Sequence, residues 1–363
     1  MHLGILAPDL NPAHGWGSYS LNVIRALRAA GLRLTILSAH GSLAHDDIDQ
    51  LAMLPTLNAP QGGRFLANSL AALPQARRLL ASCDALHALA EPYALLGAAL
   101  AGQRPLFVTG HGSYVNLPRL GKLAALYRWA FSQARLLCVS EYTAQVARSV
   151  LPRSRIQVVL NGVQADRLLA LTPAPDPNPL VLAVGAVKRR KGALEWVRGL
   201  AQACESLPSL RGLWIGTLND EPRTAEQAQA ECERLGISQA ITWAGRVPYD
   251  DLLMAYQRAW VFALPSMADG WKFEGFGLAH LEASAAALPV IGTRESGIAS
   301  AIEDGVTGLL LSQARLAQEL PTALLTLLSD EALRVKMGAR GRVKAASRPW
   351  SVVAQELIAA YAR

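Results

Sequence analysis

Glu274 and Glu282 lie eight positions apart in a stretch that packs a strand end, a loop, a glycine pair and a helix start into twenty residues, 263–282. Residues 260–264 are a short apolar run ending at Pro265, the pattern of a buried strand, and residues 278–287 are apolar and alanine-rich, the pattern of a helix. Gly275, Phe276, Gly277 and Leu278 span the point where that helix begins. Uncovered backbone N–H groups and the positive helix end can there face an anion such as phosphate. Glu274 lies just before that position and Glu282 two turns inside the helix. At this spacing one carboxylate can meet a sugar beside the phosphate, while the other accepts hydrogen bonds from vicinal hydroxyls such as those of a ribose.

Three further groups carry the residue types of a polar site. Lys188, Arg189, Arg190 and Lys191 follow an apolar run at 180–184 and are bracketed by Gly185 and Gly192, which reads as an anion cradle more than as a solvated face. His111, flanked by Gly110 and Gly112 just past an apolar run, is poorly placed for core packing and well placed to meet a hydroxyl. Gly15-Trp16-Gly17-Ser18 follows the first apolar run, with glycines that allow backbone to approach a phosphate and Ser18 as a helix cap. It is not a dinucleotide fingerprint, because Ser20 stands where the third glycine belongs and the turn is not close behind the strand end. His280, between the two glutamates, reads as an ordinary helix residue.

The elements that must position these groups form an α/β pattern. Short apolar runs at 3–7, 34–38, 85–88, 106–109, 136–139 and 156–160 alternate with helical stretches, as in a doubly wound parallel sheet. Four prolines within 172–179 break the pattern. It resumes with runs at 180–184, 213–215, 241–244, 261–264 and 290–293. The expectation is two Rossmann-like domains, 1–170 and 180–350, joined by a linker at 171–179 and facing a cleft, since open α/β sheets bind ligands at the carboxyl ends of their strands. A chain of 363 residues that is 51% hydrophobic can fill two such cores.

Net charge is +7 with a pI near 9.4, but only 17% of residues are charged, so no basic tail points to nucleic acid. A polyanionic donor or an anionic membrane surface accounts for such a bias. Cys83, Cys138, Cys204 and Cys232 lack metal or redox spacing and read as buried thiols in a reducing cytosol. No signal peptide is visible, and the apolar stretch 81–102 is interrupted by Asp84, His87, Glu91 and Pro92, against a membrane span. The segment 118–131 carries cations beside apolar and aromatic residues, compatible with a peripheral contact at the inner face of a membrane or with a plain surface helix.

With Pro265-Ser266 before it and Gly-Phe-Gly after its first member, the Glu274/Glu282 pair resembles the Glu-x7-Glu signature of retaining glycosyltransferases of family 4, which have the two-domain GT-B fold. The resemblance implies a transfer from a nucleoside diphosphate sugar to a hydroxyl acceptor such as a glycan or a lipid-linked glycan, with no metal and no other cofactor. It implies that Glu282 holds the ribose, that Lys191, Gly17 and the helix start at Gly277 and Leu278 hold the diphosphate, and that Glu274 and His111 orient the sugar. Arg246 and Val247 match the loop whose backbone reads the base, and the final helix, 351–363, is expected to return to the first domain. Ala186 stands where the family has an arginine, and Lys188 or Arg189 is left to supply that charge. Two other readings stay open, a nucleotide-sugar epimerase of the same architecture and a catalytically silent donor-binding module.

Overall fold

A computed structural model describes residues 1–12, 15–57, 60 and 62–362. The chain divides into two compact units, 1–162 with 350–363 and 163–349. Arg363, the last residue of the expected final helix, lies outside the described residues.

The first unit is built on seven parallel strands, β1 (His2–Ala7), β2 (Arg33–Ala39), β3 (Leu51–Leu54), β4 (Ala85–Ala88), β5 (Leu106–Gly110), β6 (Arg135–Cys138) and β7 (Arg155–Val158), in the order β3-β2-β1-β4-β5-β6-β7. β1 and β4 are buried along their whole length, so they read as continuous apolar runs and not as alternating ones. β3 was not foreseen, because it is four residues long, lies at the sheet edge and is mostly exposed. The order reverses between β1 and β4, which pair in register from Leu3 with Ala85 to Leu6 with Ala88. That reversal is the switch point at which such sheets open a crevice.

Helix Trp350–Tyr361 belongs to this unit. Tyr361 reaches the buried His87 on β4, whose Nδ1 lies 2.7 Å from the tyrosine hydroxyl, while His87 Nε2 lies 2.9 Å from Thr109 Oγ1 on β5. Burial, helped by His111, holds the His87 pKa down near 3, so the imidazole is a neutral bridge between helix and sheet.

The second unit carries six parallel strands, β8 (Leu180–Val184), β9 (Arg211–Ile215), β10 (Ile241–Gly245), β11 (Val261–Ala263), β12 (Val290–Thr293) and β13 (Gly308–Leu311), in the order β10-β9-β8-β11-β12-β13. Its switch point lies between β8 and β11, paired at Val181 with Val261 and Leu182 with Phe262. Trp214 on β9 packs between Trp196, met edge-on at 5.2 Å between centroids, and the tilted ring of Trp243 at 5.7 Å, and its indole N–H donates to the Gly185 carbonyl at 2.7 Å. The tryptophan core thereby pins the loop that leaves β8.

The proline-rich stretch lies inside this second unit, tied down by Ala174 N–H to the Gln257 carbonyl (3.0 Å), Asp176 N–H to the Arg258 carbonyl (2.8 Å) and an Arg258–Asp176 ion pair. Its prolines exclude helix and sheet, as the sequence suggests, but the contact boundary falls between Gly162 and Val163. Cys83, Cys138 and Cys232 are buried thiols, whereas Cys204 is only partly covered. Among the described residues no helix is long and apolar enough to cross a membrane.

Candidate functional site

In the second unit the polar residues gather at the switch point. The chain leaves β8 through Gly185 and a short 3-10 turn, Arg189–Lys191, ended by Gly192. Gly192 is left-handed (φ 72°), and a Cβ there would fall 2.2 Å from the Pro265 carbonyl oxygen. Only glycine lets this turn press against the loop that leaves β11. Met267 N–H then donates to the Arg190 carbonyl at 2.7 Å, fastening the two loops together.

The side chains that meet across that contact are Arg190, Lys191 and Glu274. Arg190 Nη1 and Lys191 Nζ each donate to Glu274 Oε2 at 2.6 Å, and the three side chains are only 16–25% exposed. Burial pushes the Glu274 pKa up, but the Lys191 and Arg190 charges outweigh it and hold the carboxyl well below the usual range. Burial likewise pulls the Lys191 ammonium down, with Glu274 opposing. The trio keeps one net positive charge when all three are ionised. Glu274 is fixed from behind by its own carbonyl, which accepts the Gly297 N–H at 2.7 Å. A Cβ on Gly297 would fall 1.9 Å from the Gly275 carbonyl oxygen, so Ser296-Gly297 serves close packing against the 274–276 backbone.

Gly277 caps the helix Leu278–Ala285 in a left-handed conformation (φ 89°, ψ 49°), and the first N–H groups of that helix have no intrahelical acceptors. Gly275 and Phe276 are buried in the approach to it. Glu282, further along the helix, accepts the Tyr256 hydroxyl at 3.4 Å, and burial raises its pKa to about 7 against that hydrogen bond. His280 is fully buried, with Nε2 within 3.2–3.3 Å of the Leu264 and Ile291 carbonyls, and burial keeps it neutral with a pKa near 4. It ties the helix to β12 and to the loop after β11, as a helix residue of the interior should.

Several of the anticipated residues sit elsewhere. Lys188 pairs with Asp220 at 2.7 Å, and Arg189, 71% exposed on its side chain, lies 3.9 Å from Asp269. The cation that joins Lys191 is Arg190. Arg246 is exposed and Val247 half-buried in the turn after β10, two strands away from β8 at the same end of the sheet. Gly17 belongs to the first unit and lies inside the helix Gly15–Ala29, not in a loop before it. A Cβ there would fall 2.2 Å from the Asn11 carbonyl oxygen and 2.4 Å from Asp9 Oδ1, so packing against the preceding loop alone requires glycine at this position. The chain has one Asp-x-Asp triplet, Asp47-Ile48-Asp49, and its Asp47 is engaged by Arg25 through two hydrogen bonds of 2.6 and 2.8 Å.

His111 lies at the carboxyl end of β5, beside the switch point of the first unit. Its N–H and that of Gly112 donate to Glu91 Oε1 at 2.7 and 3.1 Å, and its Nε2 lies 2.7 Å from the Leu89 carbonyl. Burial lowers its pKa to about 4, so the ring is neutral and Nε2 carries the proton given to Leu89. Sequence reasoning passed over Glu91 as a site residue and gave Arg190 no role of its own within the cationic run. The signal for Glu91 was present, since it follows the end of β4 by three residues as His111 follows that of β5 by one, but the preceding apolar run made it look like an interruption.

Two family models match the chain, "Glycosyl transferases group 1" over residues 167–344 and "Glycosyltransferase Family 4" over residues 13–167. The GDP-mannose-dependent α-(1-6)-phosphatidylinositol monomannoside mannosyltransferase of Mycolicibacterium smegmatis is 28% identical over 273 residues, 70% of this chain and 69% of that protein. A D-inositol 3-phosphate glycosyltransferase of Nocardia farcinica is 31% identical over 238 residues, 60% of this chain and 51% of that protein, so the match spans about half of this relative. Among solved structures, sucrose-phosphate synthase from Thermosynechococcus elongatus superposes with a TM-score of 0.80, covering 99% of this chain and 98% of that one at 20% identity, a likeness of fold. With the two models together matching residues 13–344 and two doubly wound sheets of the GT-B type, the chain belongs to the group 1 glycosyltransferases of family 4.

Proposed function

We propose that this glycosyltransferase moves a hexosyl group from a nucleoside diphosphate sugar to a hydroxyl acceptor, with retention of anomeric configuration and without a metal ion. The observation that carries the reading is the Arg190–Lys191–Glu274 cluster at the switch point of the second sheet, next in sequence to the helix capped by Gly277. Two fixed cations and a helix N-terminus are the groups needed where a diphosphate leaves. As the glycosidic C–O bond breaks, its electron pair stays with the diphosphate, and groups held in place beforehand stabilise that charge more in the transition state than in the ground state. The acceptor oxygen forms the new bond to the anomeric carbon and its proton passes to the departing phosphate. Glu274 then needs no nucleophilic role. It keeps two like charges together before the donor arrives and contacts the sugar afterwards.

Glu282, beside Tyr256 and Tyr249, is assigned to the ribose, and the turn at Arg246 and Val247 to the base. His111, in the first unit, is assigned to a sugar hydroxyl. The names of the relatives support a nucleotide-sugar donor and an acceptor bearing a polyol or lipid-linked headgroup. Helix Ala124–Ser132 supports a peripheral membrane contact at the cytoplasmic face, because it leaves Leu126 and Trp129 41% and 47% exposed while burying Tyr127, Ala130 and Phe131. Lys122 and Arg128, within four residues of them in sequence, are exposed as well.

Turnover of a panel of nucleotide sugars, with and without acceptor, tests the reading and separates transfer from epimerisation, which needs no acceptor. With the donor so found, Lys191→Ala is expected to lower kcat by roughly 10²–10³, the scale for removing one electrostatic donor. Turnover close to that of the unaltered chain would remove the cluster from catalysis.

Glu282 makes a pH-dependent prediction. Its folded pKa of about 7 lies above the ordinary carboxyl value, so the free protein holds an extra proton between the two and stability from this group falls as pH rises through that window. Hydroxyl donors favour the ionised form, so titration calorimetry should show nucleotide affinity rising with pH through about 7, and Glu282→Gln should flatten that rise. An unaltered pH dependence in the variant would take Glu282 out of the ribose role. For the membrane contact, sedimentation with anionic vesicles at low salt should fall when Trp129 is replaced by Ser, and no binding by the unaltered chain would end that part of the proposal.

A further inference from the structure

Glu91 is a buried group for which the proposed transfer has no task. It is wholly buried in the 3-10 turn Glu91–Tyr93 after β4, and its Oε1 accepts both the His111 and the Gly112 N–H. Its other oxygen, Oε2, has no hydrogen-bond partner among the described residues. Among the described residues no cation pairs with it. The titratable groups that feel its charge are Tyr19, Tyr114 and Cys138, all kept neutral by burial, and the bonded His111 is neutral as well. Burial raises the Glu91 pKa to about 7 despite the N–H bonds that pull it down. An unsatisfied buried carboxyl oxygen is costly, and retaining one needs a reason that folding does not give.

Aromatic rings surround the turn that Glu91 holds. Trp16 lies 5.3 Å from Tyr114 and 6.4 Å from His111 between centroids, and Tyr19 meets the His111 ring edge-on at 4.5 Å. Trp16, His111 and Tyr114 are each only partly buried. Aromatic faces that can cover C–H surface, gathered on the turn that Glu91 holds, together with an acceptor oxygen that has no donor, match the chemistry of a ring bearing hydroxyls, a hexose or a cyclitol.

We infer that Glu91 is a ligand-binding residue whose Oε1 fixes the His111–Gly112 turn and whose Oε2 accepts a hydroxyl of a carbohydrate or cyclitol lying against Trp16, His111 and Tyr114. The inference rests on the transferase reading. That hydroxyl comes from the transferred sugar or from the acceptor, and the two sources give different kinetics.

Glu91→Gln is the decisive variant, because the amide keeps an oxygen for the two backbone N–H groups and replaces Oε2 with an NH₂ that cannot accept. Trp16→Ala, at a partly exposed position, is the companion should the first variant fold poorly. Steady-state kinetics would be run on the full chain with GDP-mannose and UDP-glucose, once with water as the acceptor and once with phosphatidylinositol, alongside melting temperature and GDP or UDP binding. The expected result is a KM raised about tenfold or more, the scale of a lost charge-assisted hydrogen bond, with melting temperature and nucleotide affinity unchanged. A rise already seen in donor hydrolysis assigns the hydroxyl to the transferred sugar, and a rise seen only in transfer assigns it to the acceptor. Unaltered KM values in both arms for Glu91→Gln, or for Trp16→Ala if the first variant does not fold, would overturn the inference and leave Glu91 as a clamp on the turn while the transferase reading stands. If the unaltered chain turns over neither of these nor any other donor of the nucleotide-sugar panel, the transferase reading fails and this inference falls with it.

Discussion

Two cations share one carboxylate oxygen in the second unit, and the architecture around them exists to hold that arrangement. Arg190 and Lys191 are neighbours in sequence, so their charges repel at close range in a partly buried place where water screens poorly. Glu274 offsets the repulsion and still leaves the trio positive. Removing it would leave two uncompensated cations, the situation in which a broken buried pair costs about 3–5 kcal/mol. Every nearby constraint fixes backbone. Gly192 fits under the Pro265 carbonyl, Met267 grips Arg190, Gly297 grips Glu274, and Trp214 holds the Gly185 carbonyl.

The same construction appears in the first unit with different chemistry. There, too, the strand order reverses beside the first strand of the sheet, and the loops after β4 and β5 bring Glu91 to His111. Among the described residues no cation enters that cluster. A neutral imidazole and an acidic group with a pKa of about 7 suit hydroxyls, whereas fixed cations and a helix N-terminus suit phosphate. Each sheet supplies the same geometric place, and in the proposed function the residues after its strands decide which part of a glycosyl donor or acceptor belongs there.

Much of this was legible in the sequence, for reasons that differ by residue. Buried parallel strands announce themselves as unbroken apolar runs, so 85–88, 180–184 and 290–293 match their strands end to end. β3 and β13 did not, because one is mostly exposed at an edge and the other is four residues long behind a run of turn residues. The motifs singled out Glu274 and Lys191 separately, but neither their ion pair nor the choice of Arg190 over Lys188 and Arg189 as companion followed from them. That choice depends on the 3-10 turn and on Asp220 and Asp269, acids from distant segments that draw the other two cations aside. Gly17 shows another limit of the sequence. A glycine near the start of a helix looks the same whether it admits a phosphate or the backbone of the preceding loop, and packing against that loop already requires glycine here.

The central claim is that the diphosphate of the donor binds where Lys191, Arg190 and the helix N-terminus at Gly277 come together. A crystal structure of the complex with a nucleoside diphosphate tests it most directly. The account predicts phosphate oxygens within hydrogen-bonding distance of Lys191 and of the first N–H groups of the helix Leu278–Ala285, with Glu282 on the ribose. A diphosphate bound elsewhere, with the Arg190–Lys191–Glu274 contacts undisturbed and facing no ligand, would contradict it.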